Sequence, residues 1–177
     1  VAASSQYLTT PDSAPVRLNT TATVAFWAYL NDKTTFRYFF YKGTGNTTLS
    51  QDVGCYFSST NNRIECNFND TGGNNFLVNI LPNPSVSTWY CLGFKWDSAQ
   101  LYASLNGAAW TPVTAASLPA NFGGPFQIGA RNVVSGLYMD GRIDAFGIWK
   151  GASLTNAQIA NFYNGGLGRE FAGGAWQ

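Results

Sequence analysis

The residues able to do chemistry in this chain are few, and the absences narrow its function. Histidine does not occur. That removes Ser-His-Asp and Cys-His nucleophilic catalysis, His-ligated zinc and the H-E-x-x-H metalloproteases together. Glycoside hydrolysis needs two carboxyl groups roughly 5–9 Å apart, one of them with a raised pKa. The only glutamates are Glu65 and Glu170, in unrelated segments. Asp140 and Asp144 fall at even spacing and would share one strand face. Asp32, Asp52, Asp70 and Asp97 are scattered, with no Asp-x-Asp-x-Asp-Gly loop to hold calcium. The expectation is a chain without a catalytic centre and without a cofactor.

Three cysteines are too few for a disulfide scaffold, and they lack C-x-x-C spacing. Cys55 and Cys66 sit in two short strand-like runs separated by Thr60-Asn61-Asn62. A turn centred between Thr60 and Asn61 places them opposite each other on an antiparallel hairpin. Cross-strand Cα atoms lie roughly 4.5–5.5 Å apart, which a disulfide accepts. Two readings stand side by side: a cross-strand disulfide, or two small half-buried thiols. Cys91 has no evident partner and reads as a core residue.

Aromatic side chains make up 16% of the chain and supply its best binding chemistry. Sugar-binding proteins stack rings on the apolar faces of pyranoses and bracket them with polar side chains. Alternation along 21–30 puts Trp27 and Tyr29 on one strand face, opposite Val24, Phe26, Ala28 and Leu30. Arg37 and Tyr41 fall in phase on the next strand. These four are the expected ligand-binding set, and the competing reading makes them ordinary sheet cover.

The elements that must position them follow from composition. The chain has 177 residues, enough for one core, and charged residues are only 11% of it. Few charges with abundant Gly, Thr and Asn argue against a helical bundle and for a turn-rich β domain. A net charge of +1 without a basic run excludes an electrostatic nucleic-acid binder. No apolar stretch approaches the roughly 20 residues of a membrane span. The chain begins at Val1, so it is expected to be a processed form or an excerpt of something longer.

Strand signals recur every eight to twelve residues or so, with turn residues between them, as in a β-sandwich. The run 86–96 is apolar on both faces and reads as a central strand covered on each side. Asn106-Gly107 marks a tight hairpin, and a looser segment is expected from Ala108 to Gly124. The one convincing helix runs from Thr155 to Asn164. Thr155 and Gln158 form a capping box, Leu154 and Ile159 a hydrophobic staple, and Gly165 a left-handed stop. No linker, charge block or repeat divides the chain, so residues 1–177 read as a single domain.

Three stretches carry a family resemblance: 87–107, 125–131 and 140–166. Their order of Trp-Tyr strand, Asn-Gly hairpin, Ile-Gly, Gly-x-Ile-Asp and a capped helix ending in Tyr-Asn resembles the laminin-G-like branch of the concanavalin A-like lectin/glucanase superfamily. Residues 5–12 and Ala22–Leu30 resemble the opening strands, so the likeness covers nearly the whole chain. It implies an all-β, two-sheet antiparallel jelly-roll sandwich with one short C-terminal helix. The superfamily's glucanases place Glu-x-Asp-x-(x)-Glu on one strand, and lyases of similar fold use Gln-x-His with Tyr and Arg. Neither pattern occurs here. The resemblance makes Asp144 a structural acid that accepts backbone N–H groups, and it is the sole ground for considering Ca2+.

One departure bears on partners. The family usually has another strand before the segment that begins at Ser5, and at most Val1–Ser4 remain of it. An open sheet edge invites pairing. A second copy or a partner chain is expected to complete it, unless the tail 169–177 covers it through Phe171 and Trp176, bending at Gly173-Gly174. The functional expectation is a recognition or attachment module at an extracellular or virion surface, contacting a glycan or a protein surface. The alternative is a structural subunit of a virion or similar assembly, with a glycan-degrading enzyme a more distant third.

Overall fold

The computed structural model describes residues 6–45, 49–115, 117–131, 137–168, 171–172 and 175–176. Two antiparallel sheets face each other. The six-stranded sheet has the order β1 (Leu8–Thr10), β10 (Phe126–Ile128), β3 (Arg37–Gly43), β4 (Gln51–Ser58), β5 (Arg63–Asn69), β6 (Asn75–Pro82). The five-stranded sheet runs β11 (Gly141–Lys150), β2 (Ala22–Leu30), β7 (Trp89–Trp96), β8 (Gln100–Leu105), β9 (Thr111–Ala115). Strand β7 is the middle strand, which explains why its sequence is apolar on both faces. This is the jelly-roll sandwich that the resemblance implies.

Between the sheets lies an aromatic core. The Phe26 ring sits 5.6 Å from Phe39, 5.8 Å from Phe40 and 5.3 Å from Phe146, while Phe68 meets Trp96 at 5.9 Å. Such rings bury large apolar areas, each stabilising the fold by roughly 1.5–3 kcal/mol. Alternation along β2 supplies the inward row Val24, Phe26, Ala28 and Leu30 as read from sequence. Along β3 the alternation breaks. A bulge between Tyr38 and Phe40 turns both Phe39 and Phe40 into the core and places Tyr38 and Tyr41 outside.

The 108–124 segment is less loose than its composition suggests, because β9 lies within it. Pro112 is tolerated there since β9 is an edge strand. The helix α1 (Asn156–Tyr163) has the Thr155–Gln158 capping box in full, with both reciprocal hydrogen bonds. Its left-handed terminus is Asn164 (φ 50°, ψ 47°), one residue before the glycine expected to provide it. In the tail, β12 (Phe171–Ala172) pairs with β13 (Ala175–Trp176), and among the described residues neither pairs with another strand. The described tail backbone therefore adds no strand to the β1 edge, and the side chains named for that role lie outside the described residues.

Cys55 and Cys66 are directly opposed in the β4–β5 register, and a disulfide joins them. Closing a loop of sequence separation 11 restricts the unfolded chain enough to stabilise the fold by about 2–3 kcal/mol. A second tie is ionic. Lys42, fully buried, donates from Nζ to Asp52 Oδ2 at 2.8 Å and to Asp12 Oδ1, Asn121 Oδ1 and the Gly124 carbonyl, each at 3.0 Å. Asp52 also accepts the Phe122 backbone N–H at 2.7 Å.

Two measurements check these ties. Unfolded, unreduced protein should take up one alkylating group, on Cys91, against three after reduction. Lys42→Met would leave Asp52 charged and buried, and should lose about 3–5 kcal/mol in urea unfolding. The half-exposed Arg17–Asp12 pair should lose no more than about 1 kcal/mol in Arg17→Met.

Candidate functional site

The four residues expected to form one binding face do not converge. Strands β2 and β3 belong to different sheets, so Trp27 and Tyr29 stand on the outer face of one layer and Tyr41 on the outer face of the other. The β2–β3 connection crosses the sandwich, which alternation within each strand does not reveal.

Trp27 is not available to a ligand. Helix α1 lies across the middle of the five-stranded sheet, and Tyr163 stacks on the indole at 5.4 Å and 16°. Ala25, Trp27, Cys91, Ile159 and Phe162 form a second small core beneath the helix. Lys95 fastens the start of this cover. Its Nζ donates to the Leu154 carbonyl at 2.9 Å and lies 4.8 Å from the Tyr102 and Trp110 rings. Arg37 is likewise committed: it pairs with Asp32 at 2.7 Å and approaches Asp140 at 3.8 Å. The bulge in β3 also removes it from phase with Tyr41. Tyr41 is fully buried, with its hydroxyl donating to the Gly45 carbonyl.

Tyr29 is half-buried and is not covered in this way. The helix does not reach this end of the sheet, and the register lines up Arg142, Tyr29 and Trp89 across β11, β2 and β7. The Trp89 ring lies 5.4 Å from Tyr29, and the Arg142 guanidinium sits 5.3 Å over the tyrosine ring. Trp89 is 37% exposed and neighbouring Val86 41%. This is an open aromatic platform with a cation at its side. Sequence reading found Tyr29 but missed Trp89 and Arg142, because cross-strand partners depend on register.

The outer face of the six-stranded sheet is a different environment. One row runs Asn79, Glu65, Tyr56, Tyr38 across β6 to β3, and the next runs Leu77, Asn67, Gly54, Tyr41, Gln127, Thr9. Arg131 lies over Tyr38 and Tyr41 at 5.2 and 5.3 Å and donates from Nη1 to the Tyr38 hydroxyl at 2.7 Å. Glu65 accepts from Arg63 Nε and from Asn61 Nδ2.

Asp32 and Asp140 are the carboxyl groups that come together, in side-chain contact and both beside Arg37. Asp140 precedes β11 and accepts from Asn31 Nδ2 at 2.7 Å, while exposed Asp144 accepts the Ala145 N–H at the β11 bulge. Asp144 thus takes a backbone N–H, as the resemblance implies. No group of three His, Cys, Asp or Glu side chains able to hold a metal occurs among the described residues.

A laminin-G family model of the concanavalin A-like lectin/glucanases superfamily matches residues 2–160. The chain belongs to that superfamily. No curated protein matches it. Among solved structures, the Ruminococcus gnavus IT-sialidase CBM40 bound to α2,3-sialyllactose superposes with a TM-score of 0.68 at 14% identity, covering 85% of this chain and 86% of that one. The heptameric SAP-like pentraxin of Limulus polyphemus gives 0.57 at 14% identity, over 81% and 69%. Domains LG4-5 of the mouse laminin α1 chain give 0.61 at 10% identity, over 80% of this chain and 38% of that longer one. At such identities the likeness establishes a laminin-G-like, lectin-type fold. No helix among the described residues is long and apolar enough to cross a membrane.

Burial sets the acid–base behaviour of both faces. It pushes Tyr41 up to about 12, raises Tyr38, and raises Tyr56 with added repulsion from Glu65. It also raises the Cys91 thiol to about 12. Each such group holds its proton more tightly when folded, so its stabilising effect is complete below the unfolded pKa and fades as pH rises towards the folded one. Burial lowers the Lys95 pKa and acts in the opposite sense, but one lysine is outweighed by three tyrosines and a thiol. The urea midpoint should hold steady to about pH 9 and fall steeply between about pH 10 and 12, since a tenfold difference in proton affinity is worth about 1.4 kcal/mol. A flat midpoint across that window would refute the assignment.

Proposed function

We propose that residues 1–177 act as a single non-catalytic recognition and attachment module at an extracellular or virion surface, with a glycan as ligand. The observation that carries this reading is the Trp89–Tyr29 platform with Arg142 beside it. A half-exposed indole offers its face to the C–H side of a pyranose, and the guanidinium can donate to ring hydroxyls at the edge. Rigid strands on both sides fix these groups, so little conformational entropy is lost on binding. The fold supports the reading by analogy, since a CBM40 with bound sialyllactose shares it. The acids support the non-catalytic part. Glu65 is engaged by Arg63 and Asn61, while Asp32 and Asp140, which touch each other, are held by Arg37 and by the Asn31 amide.

A second reading rests on one observation. Strand β1 is only three residues long, stands at a sheet edge, and carries Leu8 at 70% exposure beside Tyr7 at 38%. A further copy or partner adding there would make the chain a structural subunit of an assembly.

A glycan array followed by titration of the best ligand separates the two. Wild type should bind as a monomer, and Trp89→Ala should weaken binding about tenfold or more, equivalent to roughly 1.4 kcal/mol. Silence on the array from a chain that assembles through β1, with assembly abolished by Leu8→Asp, would transfer the assignment to the subunit.

A further inference from the structure

We propose that the chain modifies itself: the Lys42 side-chain amine condenses with the Asn121 side-chain amide to form an isopeptide bond, with Asp52 carrying the protons. This goes beyond the recognition reading and does not depend on it, since it concerns the interior of the sandwich.

The observation that carries it is an amine with more acceptors than protons. A lysine ammonium has three N–H bonds. Four oxygens stand around Lys42 Nζ: Asp52 Oδ2 at 2.8 Å, and Asp12 Oδ1, Asn121 Oδ1 and the Gly124 carbonyl at 3.0 Å each. One of the four belongs to a primary amide, whose nitrogen can leave as ammonia. The Lys42 side chain is 0% exposed and that of Asp52 1%, so water is kept from the reacting nitrogen and its proton acceptor.

The amide is held against the amine from both sides. The Ala120 N–H donates to the Asn69 carbonyl at 2.8 Å, and the Phe122 N–H donates to Asp52 Oδ1 at 2.7 Å. Asn121 is clamped between these two bonds. Its Cγ lies at most one C=O bond, about 1.2 Å, beyond the 3.0 Å Nζ–Oδ1 contact. Holding reactants this close replaces an encounter in solution by an intramolecular step, with effective concentrations on the order of 10⁵ M or more.

The step balances within the chain. Asp52 Oδ2 takes one proton from Nζ, which turns a buried ion pair into a neutral amine and a neutral acid. Burial raises the Asp52 pKa and so suits it to hold that proton. The freed lone pair forms the N–C bond at Asn121 Cγ, and the displaced C=O electrons move onto Oδ1. When the C=O bond re-forms, the bond to Nδ2 breaks. Nδ2 leaves as ammonia with the proton that Asp52 held, and Asp52 accepts the surplus proton from Nζ. No oxidant, cofactor or second substrate is required. Asp12 is not the acyl partner: its hydrogen bond from Lys42 holds its pKa low, with Arg17 acting in the same sense, and an ionised carboxylate resists attack by an amine. After the reaction Asp12 keeps Arg17 and Asp52 is neutral, so the buried cluster remains uncharged. The bond spans a sequence separation of 79, against 11 for the disulfide, and reducing agents do not cut it.

Mass spectrometry tests this on folded wild type, held at neutral pH until its mass is constant and then reduced. The intact mass should lie below the sequence mass by one ammonia. Trypsin should leave peptide 38–63 joined to peptide 96–131, uncut after Lys42, with fragment ions placing the link between Lys42 and Asn121. Asn121→Ala and Asp52→Asn should each show its own full sequence mass and release the two peptides separately. Wild type at full sequence mass, cleaved normally after Lys42, overturns the proposal. So does an ammonia loss without the joined peptide, which marks a succinimide at Asn121-Phe122, or a joined peptide that persists in folded Asp52→Asn. Should the variants fail to fold, the presence or absence of the joined peptide in wild type decides.

Discussion

The fold is organised around a lysine ammonium that has no contact with water. Lys42 Nζ gathers acceptors from β3's neighbour β4, from the segment after β1, and from the long connection that leads into β10. Asp12 and Asp52 offset its charge, and Arg17 offsets the remainder through Asp12. The cluster is therefore neutral, the condition under which a buried ion pair is tolerated. Its reach explains a tight backbone contact nearby. A Cβ on Gly124 would fall 1.9 Å from the Gly43 carbonyl oxygen, so the chain must lie flush on β3 before pairing as β10. Phe126, Gln127 and Ile128 inherit their register from that point, and Arg131 follows three residues on.

The two layers then diverge in use. The five-stranded sheet hides its centre under α1, a helix too short to persist alone, which is held by the Trp27–Tyr163 stack and by Lys95 at its start. What the helix leaves uncovered is the end bearing Tyr29, Trp89 and Arg142. The six-stranded sheet carries no helix among the described residues, and its outer rows are tyrosine, amide and arginine. Tyr38, Tyr41, Asn67, Gln127 and Arg131 in those rows are themselves buried, so the aromatic surface open to a ligand lies at the Tyr29–Trp89 end of the other sheet.

That difference marks what a sequence alone discloses. Period-two alternation identified the inward row of β2, and capping chemistry placed α1 to within a residue, because both are set by local sterics and hydrogen bonding. The Cys55–Cys66 opposition needed only the turn centre between Thr60 and Asn61. The binding residues were harder. Assigning Trp27 and Arg37 to one face with Tyr41 assumed that successive strands are neighbours in one sheet, and in a jelly roll the β2–β3 connection crosses between layers. The bulge at Tyr38–Phe40 added a second error by reversing the phase. Trp89 and Arg142 become visible only once β11, β2 and β7 are in register.

Charge scarcity makes the remaining arginine conspicuous. Among the described residues three cations are buried: Lys42, Lys95 and Arg131. Lys42 has two carboxylates. Lys95 has a carbonyl and two ring faces, with Asp97 close enough to act on it electrostatically. Arg131 has rings and one hydroxyl, and its Nε and Nη2 are buried without a hydrogen-bond partner. With so few acids in the chain, a missing counterion is not made good by a crowd of others. A lysine here could turn its three donors towards the tyrosine oxygens. The planar guanidinium cannot, because the ring contacts fix its plane and therefore the direction of its unused edge. Arg131 therefore stands as a buried cation whose charge is met by two ring faces and one hydroxyl.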